Sequence, residues 1–130
     1  YPAARSRLLD SIYQAGLQNV VVLTGDIHAG GAADLRMPDA GTDGEIVAHE
    51  LVGPGISSPG LGGIGKGLDL SALGLAYGNF VDNGYVRCTV TPETWTAEFV
   101  VVDTIARETS PAKVDATVEV KAGTPGITRV

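Results

Sequence analysis

The chain has little of several things, and each shortage excludes a class of protein. Its 130 residues include one cysteine, so a disulfide within the chain is excluded. No uninterrupted apolar run approaches the ~18 residues that a membrane-spanning helix needs, so we expect no membrane partner. No basic start followed by an apolar segment and a small-residue cleavage site is visible, so the sequence gives no sign of a signal peptide.

Basic residues are also scarce, and this limits the partners that we expect. Nine lysines and arginines stand against fifteen acids, for a net charge of −6. General nucleic-acid binding needs a basic face and is therefore not expected. An anionic substrate would need bound metal ions to reverse the local field. Aromatic residues make up 5% of the chain, but the hydrophobic content of 44% suffices for the core of one ordinary domain.

The most informative segment runs from Val20 to His28. Its apolar residues at 20–23 predict a strand buried on both faces, and Gly25 predicts a sharp turn where that strand ends. Asp26 and His28 then follow at the carboxyl end, where α/β sheets collect their ligands. A carboxylate and an imidazole suit zinc, iron or manganese, so both are candidate metal ligands. The alternative is an ordinary turn with a structural histidine.

A second pair of candidates is His49 and Glu50. Neighbours in a regular strand point to opposite faces, so the two cannot both reach one metal ion. Either could instead orient a ligand from behind the site, and structural burial is the favoured alternative for His49. Ser57 and Ser58 have no base and orienting acid in a recognisable spacing, so a serine nucleophile is not favoured.

A glycine-rich segment, Gly60 to Gly65 followed by Lys66, imitates two nucleotide-binding motifs. The dinucleotide pattern needs a strand before it and a helix after it, and neither is predicted here. A phosphate-binding loop needs serine or threonine after the lysine, and Gly67 stands there. Binding of ATP or NAD through this segment therefore remains only a minor alternative.

The remaining pattern predicts one helix and several strands joined by long loops. In the first half we expect a helix over 1–15, a loop or single helical turn over 30–35, a surface turn over 37–44, a strand over 45–52, and an irregular stretch over 53–78 with a short helix at 68–75. In the second half we expect a hairpin of 85–91 with 95–102, a polar connection over 104–112, an edge strand over 114–120, and a frayed segment over 123–130.

Four blocks of the sequence resemble the alkaline phosphatase D (PhoD-like) family and occur in the family's order. Together they span residues 1–105, which is most of the chain. The blocks are Tyr1-Pro2-Ala3-Ala4-Arg5 with Leu8-Leu9; Gly25-Asp26-Ile27-His28 with the small residues after it; Gly55-Ile56-Ser57-Ser58-Pro59-Gly60; and Gly84-Tyr85-Val86 with Trp95-Thr96-Ala97-Glu98-Phe99.

The resemblance implies an α+β fold, the β-rich part of a four-layer α/β/β/α metallophosphoesterase sandwich. Its domain would span 1–122, with a flexible tail over 123–130. The implied function is a phosphatase or phosphodiesterase that hydrolyses phosphate esters by metal-activated water. Asp26 and His28 would each bind a different ion of a metal pair, drawn from iron, calcium, zinc or manganese. The family also implies a periplasmic or secreted location.

The chain departs from the family in lacking the upstream blocks that supply the other metal ligands. It therefore resembles the C-terminal part of a longer domain, and we expect an upstream half or a second chain as its partner. Alone it should bind metal weakly and turn over little, and it could form a homo-oligomer. A histidine that the family places before Tyr85 is absent, and residues 79–83 stand there. A non-catalytic interaction domain, pairing through 114–120, is the main alternative.

Overall fold

The computed structural model describes residues 1–37, 44–62 and 73–130. These residues form one helix and eight strands. In chain order they are α1 (Pro2–Gln14), β1 (Val21–Thr24), β2 (Gly30–Arg36), β3 (Ile46–Val52), β4 (Leu75–Asn79), β5 (Gly84–Val90), β6 (Thr94–Val102), β7 (Ala112–Lys121) and β8 (Thr124–Arg129). No helix in this part of the chain has both the length and the apolar character needed to cross a membrane.

The strands form two four-stranded sheets with different connectivity. The first has the order β1-β3-β2-β4, with β1 parallel to β3 and the other neighbours antiparallel. The second is an antiparallel meander in the order β5-β6-β7-β8. In the first sheet β1, β3 and β4 therefore end at the same edge, where β2 begins. We call this end of the sheet, where the strands stop or start, the site edge. It is marked by Thr24, Val52, Gly30 and Asn79.

The core lies between the inner faces of the two sheets. The rings of Tyr77 and Phe99 pack against each other in a tilted arrangement, with centroids 4.3 Å apart. Helix α1 covers the outer face of the first sheet and buries Leu9 and Ile12, which lie at helical spacing. The other core residues are small or branched: Ala32, Leu51, Ala97, Ala116 and Val118. The β-rich, two-sheet architecture with one helix is thus established for the described residues, and the four-layer sandwich stays a prediction.

The predictions for the helix, for β3 and for the β5–β6 hairpin are confirmed. The strand prediction at 20–24 is confirmed in type but wrong in burial. Strand β1 lies at the edge of its sheet among the described residues, and Leu23 is 58% exposed. The apolar run predicts two covered faces, yet Val21 and Val22 are only half-buried, and Leu23 and Thr24 are exposed.

Strands β2 and β4 were not predicted. Residues 30–36 form β2 rather than a loop or helical turn, because pairing with both β3 and β4 outweighs the low strand propensity of glycine and alanine. The small side chain of Ala32 lies opposite Tyr77 in the ladder. Strand β4 ends the stretch expected to be irregular. The turn predicted at 37–44 and the helix at 68–75 fall largely outside the described residues, except that Leu75 begins β4.

Two further predictions are wrong. Strand β7, expected at an edge over 114–120, lies between β6 and β8. The segment 123–130, expected to be a frayed and flexible tail, forms β8. Gly123 has a φ of +71°, which reverses the chain and allows β8 to pair back on β7. The backbone N–H of Ile127 also donates to the Asp34 carboxylate at 3.1 Å, which fixes β8 against the first sheet.

Candidate functional site

The turn from Gly25 to His28 joins β1 to β2 at the site edge, so Asp26 and His28 follow the carboxyl end of a strand as predicted. Its backbone is strained at Asp26 (φ +75°) and His28 (φ +56°), in the left-handed region that side chains disfavour. The expectation that Gly25 provides the sharp turn is wrong, since Gly25 has no positive φ. Backbone strain of this kind concentrates at functional sites, because the surrounding structure has to maintain it.

The imidazole of His28 has a defined partner. Its Nδ1 lies 3.1 Å from the carbonyl oxygen of Pro59, in the loop that follows β3. A carbonyl oxygen only accepts hydrogen bonds, so Nδ1 carries the proton and donates it. The lone pair of the neutral ring is then on Nε2. This is the arrangement of metal-binding histidines, which donate their second ring nitrogen to a carbonyl or carboxylate.

Glu50 lies beside this turn and His49 does not. A carboxylate oxygen of Glu50 accepts a hydrogen bond from the Thr24 hydroxyl at 2.9 Å, at the end of β1. His49 pairs in register with Val21, at the start of β1, and is 4% exposed. Its Nδ1 lies 2.8 Å from the Asp34 carboxylate. Of the two candidates for a supporting role, only Glu50 therefore contacts Thr24, the last residue of β1 before the turn.

Asp26 and His28 form a pair of donors and not a complete coordination shell. Among residues 1–37, 44–62 and 73–130, no three histidine, cysteine, aspartate or glutamate side chains converge as a metal site would require. Ser57 and Ser58 lie in the loop after β3, and among the described residues neither hydroxyl is hydrogen-bonded to a ring nitrogen of His28 or His49. The geometry thus gives no support to a serine nucleophile.

The start of the glycine-rich segment has a packing role. A Cβ at Gly60 would lie 2.9 Å from the carbonyl oxygen of Val81 and 3.1 Å from that of Phe80. The N–H of Leu61 donates to the Phe80 carbonyl at 2.9 Å. Gly60 is therefore required by close backbone packing. The rest of the segment, including Lys66, lies outside the described residues.

A polar network beyond β4 was missed by sequence reasoning. The Asn79 side-chain oxygen accepts from the N–H groups of Val81 and Asp82 at 3.1 and 3.0 Å, which closes a tight turn. Its amide nitrogen donates to Asp82 at 2.9 Å and to Asp115 at 3.2 Å. Residues 79–83 thus brace the site edge. An asparagine followed by an aspartate three residues later could have signalled this turn.

Asp115 reaches the first sheet through a β-bulge. The β6–β7 register moves from Phe99–Ala116 to Val100–Val114, which leaves Asp115 unpaired and turns its side chain toward β4. The Tyr77 hydroxyl donates to Asp115 at 2.8 Å. Burial of the phenol, together with this hydrogen bond to a carboxylate, raises the pKa of Tyr77 well above its ordinary value. The two sheets are thereby joined by polar contacts close to the site edge.

Comparison with known proteins identifies the family to which the chain belongs. A family model described as a PhoD-like phosphatase matches residues 1–99. The chain belongs to the PhoD-like phosphatase family, as the four sequence blocks predicted. The match contains α1, the turn at the site edge and the β5–β6 hairpin up to Phe99.

Individual relatives agree with this assignment. Alkaline phosphatase D of Bacillus subtilis (strain 168) is 40% identical over an alignment 104 residues long, and the match covers 76% of this chain and 18% of that protein. A solved structure of PhoD matches 100% of this chain with a TM-score of 0.87 and 34% identity. The aligned part is 26% of that structure's chain. The chain therefore spans about a quarter or less of these relatives and corresponds to their C-terminal part.

Proposed function

We propose that this chain is part of a metal-dependent phosphoester hydrolase in which Asp26 and His28 are metal ligands. The observation that carries the proposal is the hydrogen bond from His28 Nδ1 to the Pro59 carbonyl at 3.1 Å. It leaves Nε2 as the nitrogen with a free lone pair, two positions along the chain from the exposed carboxylate of Asp26. Oxygen and imidazole donors fit zinc, iron or manganese, and a carboxylate also suits calcium.

The charge of the site edge also favours cations. Asp26, Glu50 and Asp82 lie at or next to this edge, in a chain whose net charge is −6. A phosphoester is anionic, so bound cations are needed to make the edge attractive to it. When bound, a metal pair would polarise the phosphoryl group, activate the attacking water and stabilise the leaving oxygen. Asp26 and His28 would each hold one ion of the pair.

Two donors cannot complete the coordination of two ions, so we propose that the other ligands come from outside this chain. Their source would be an upstream half of the domain or a second polypeptide. The open side of β1 supports this, because β1 has the composition of a covered strand and yet pairs with β3 alone among the described residues. A second copy of the chain paired along the open side of β1 would give a homo-oligomer, which size-exclusion chromatography would detect.

The substrate would be a phosphate monoester or diester, and the enzyme would work in the periplasm or outside the cell. The interaction-domain alternative depended on 114–120 as a sheet edge, and that basis is gone because β7 is internal. The nucleotide alternative depended on the glycine motif over 60–66, of which Gly60 is packed against the backbone of 80–81 and residues 63–66 lie outside the described part of the chain. Neither alternative is favoured by an observation of its own.

Calorimetric metal titration tests the proposal. Zinc, manganese, calcium and ferrous iron would be titrated into the chain assembled with the upstream half or second polypeptide that supplies the other ligands, and into the same assembly carrying Asp26→Ala/His28→Ala. We expect the variant to bind at least about a hundredfold more weakly, because it loses the ligands themselves and not only their supporting contacts. Phosphatase activity on mono- and diester substrates should fall in parallel.

Asp103→Ala is the matched control, since it removes an exposed aspartate from the loop after β6. This control should bind metal like the wild type. Equal binding by the wild type and the double variant would show that the turn is structural and would end the proposal.

A further inference from the structure

The side chain of Asn83 lies between the second sheet and the loop that holds His28. Its amide nitrogen donates to two backbone carbonyls, that of Gly55 at 2.9 Å and that of Ser58 at 2.6 Å. Both partners are acceptors, which fixes the orientation of the amide group. The backbone carbonyl of Asn83 accepts from Val102 at 2.9 Å, so the residue is also attached to β6.

The contact with Ser58 restricts the carbonyl that His28 uses. The Ser58 carbonyl belongs to the planar peptide unit that also contains the nitrogen of Pro59. The proline ring fixes the next rotation, φ, near its usual value. Only one backbone rotation then separates the held Ser58 carbonyl from the Pro59 carbonyl. On the far side, Gly60 is packed against the backbone of Val81.

We propose that Asn83 is a positioning residue for His28. By holding the loop at Gly55 and Ser58, it fixes the position of the Pro59 carbonyl. That carbonyl keeps the imidazole of His28 protonated on Nδ1, which leaves the lone pair of Nε2 for a metal ion. The proposal rests on the proposed function of His28 as a metal ligand. It also assigns a role to a position where the family resemblance led us to expect a histidine.

Asparagine suits this role because one planar amide supplies two N–H donors to two carbonyls. Aspartate has nearly the same shape but only acceptors when ionised, so Asn83→Asp would oppose both carbonyls with negative charge. The loop should then move away, and the Pro59 carbonyl should leave Nδ1 of His28. Asn83→Gln keeps the donors on a longer stem and should restore part of the arrangement.

The test reads the tautomer of His28 directly by two-bond ¹H–¹⁵N correlation NMR of the imidazole rings. Spectra of the intact, metal-free protein are recorded at a pH at which the ring is neutral. The signals of His28 are assigned by their absence from the spectrum of His28→Gln. We expect the Nδ1–H form in the wild type and predominantly the Nε2–H form in Asn83→Asp. The affinity for manganese, measured by calorimetry, should fall about tenfold, as for other residues that orient a metal ligand.

Asp82→Asn is the matched control, because Asp82 precedes Asn83 in the same turn and bonds to Asn79 and not to the loop. It should keep the wild-type tautomer. An unchanged tautomer in Asn83→Asp overturns the proposal. If that variant unfolds, Asn83→Ala decides, and the wild-type Nδ1–H form without any Nε2–H fraction in Asn83→Ala would overturn it. Should His28→Gln bind metal normally, the proposed function fails while the tautomer result still stands.

Discussion

The two histidines of this chain lie in regions of opposite construction. His28 is in a strained turn, partly exposed, with a backbone carbonyl as its partner across 31 positions. His49 is in the interior, 4% exposed, and bonds to a carboxylate on the neighbouring strand. The first arrangement leaves a ring nitrogen available at the cost of backbone strain. The second holds one ring nitrogen against a half-buried carboxylate, and through Asp34 it connects β3, β2 and β8. Residue type therefore does not identify a functional histidine; its surroundings do.

The largest expected effect separates the two histidines by stability. We expect His49→Ala to lower the free energy of unfolding by about 2–3 kcal/mol, because it removes a hydrogen bond to a charged partner and leaves Asp34 without it. His28→Ala should cost less, since its lost partner is one loop carbonyl. Urea denaturation measures both.

The two variants should rank in the opposite order when metal affinity is measured: the loss should be large in His28→Ala and absent in His49→Ala. His49→Ala should bind manganese like the wild type, and His28→Ala should lose binding. The contrast between the two regions would be refuted by weakened metal binding in His49→Ala at a temperature at which it remains folded.

A smaller effect tests the strain at the turn. Glycine adopts positive φ at little cost, so Asp26→Gly should raise the free energy of unfolding by about 1 kcal/mol while weakening metal binding. Ile27→Gly is the matched control, because Ile27 lies in the same turn without a positive φ, and it should lose stability instead. Loss of stability in both variants would mean that the turn at Asp26 is not strained.

The smallest effect concerns the link between the sheets. Tyr77→Phe removes the hydroxyl that donates to Asp115 and should cost about 1 kcal/mol at neutral pH. The pKa of Tyr77 is raised in the folded state, so its contribution is complete below the ordinary tyrosine pKa of about 10 and is lost as the pH rises above it.

Denaturation at increasing alkaline pH measures this linkage. Wild-type stability should decline more steeply than that of Tyr77→Phe above the ordinary tyrosine pKa. Tyr13→Phe, on the exposed side of α1, is the control and should keep the wild-type slope. Identical slopes in all three proteins would contradict a raised pKa.

Sequence patterns predicted the elements whose signal is local. Helical spacing of apolar residues identified α1, and alternation identified β3 and the β5–β6 hairpin. The pair Asp26 and His28 was located correctly at the carboxyl end of a strand. Patterns failed for β2 and β8, because glycine, alanine and proline give these strands weak local preference and their formation depends on pairing with distant neighbours.

The candidate site divides in the same way. The order of residues alone determined that a carboxylate and an imidazole follow a strand and that an acidic chain needs cations to attract a phosphoester. Only the tertiary structure decided which ring nitrogen of His28 is engaged, that Glu50 and not His49 lies beside the turn, and that Asn83 holds the loop. The physical reason is sequence distance, since His28–Pro59, Asn83–Gly55 and Tyr77–Asp115 join residues 31, 28 and 38 positions apart. Local propensity carries no information about contacts of that kind.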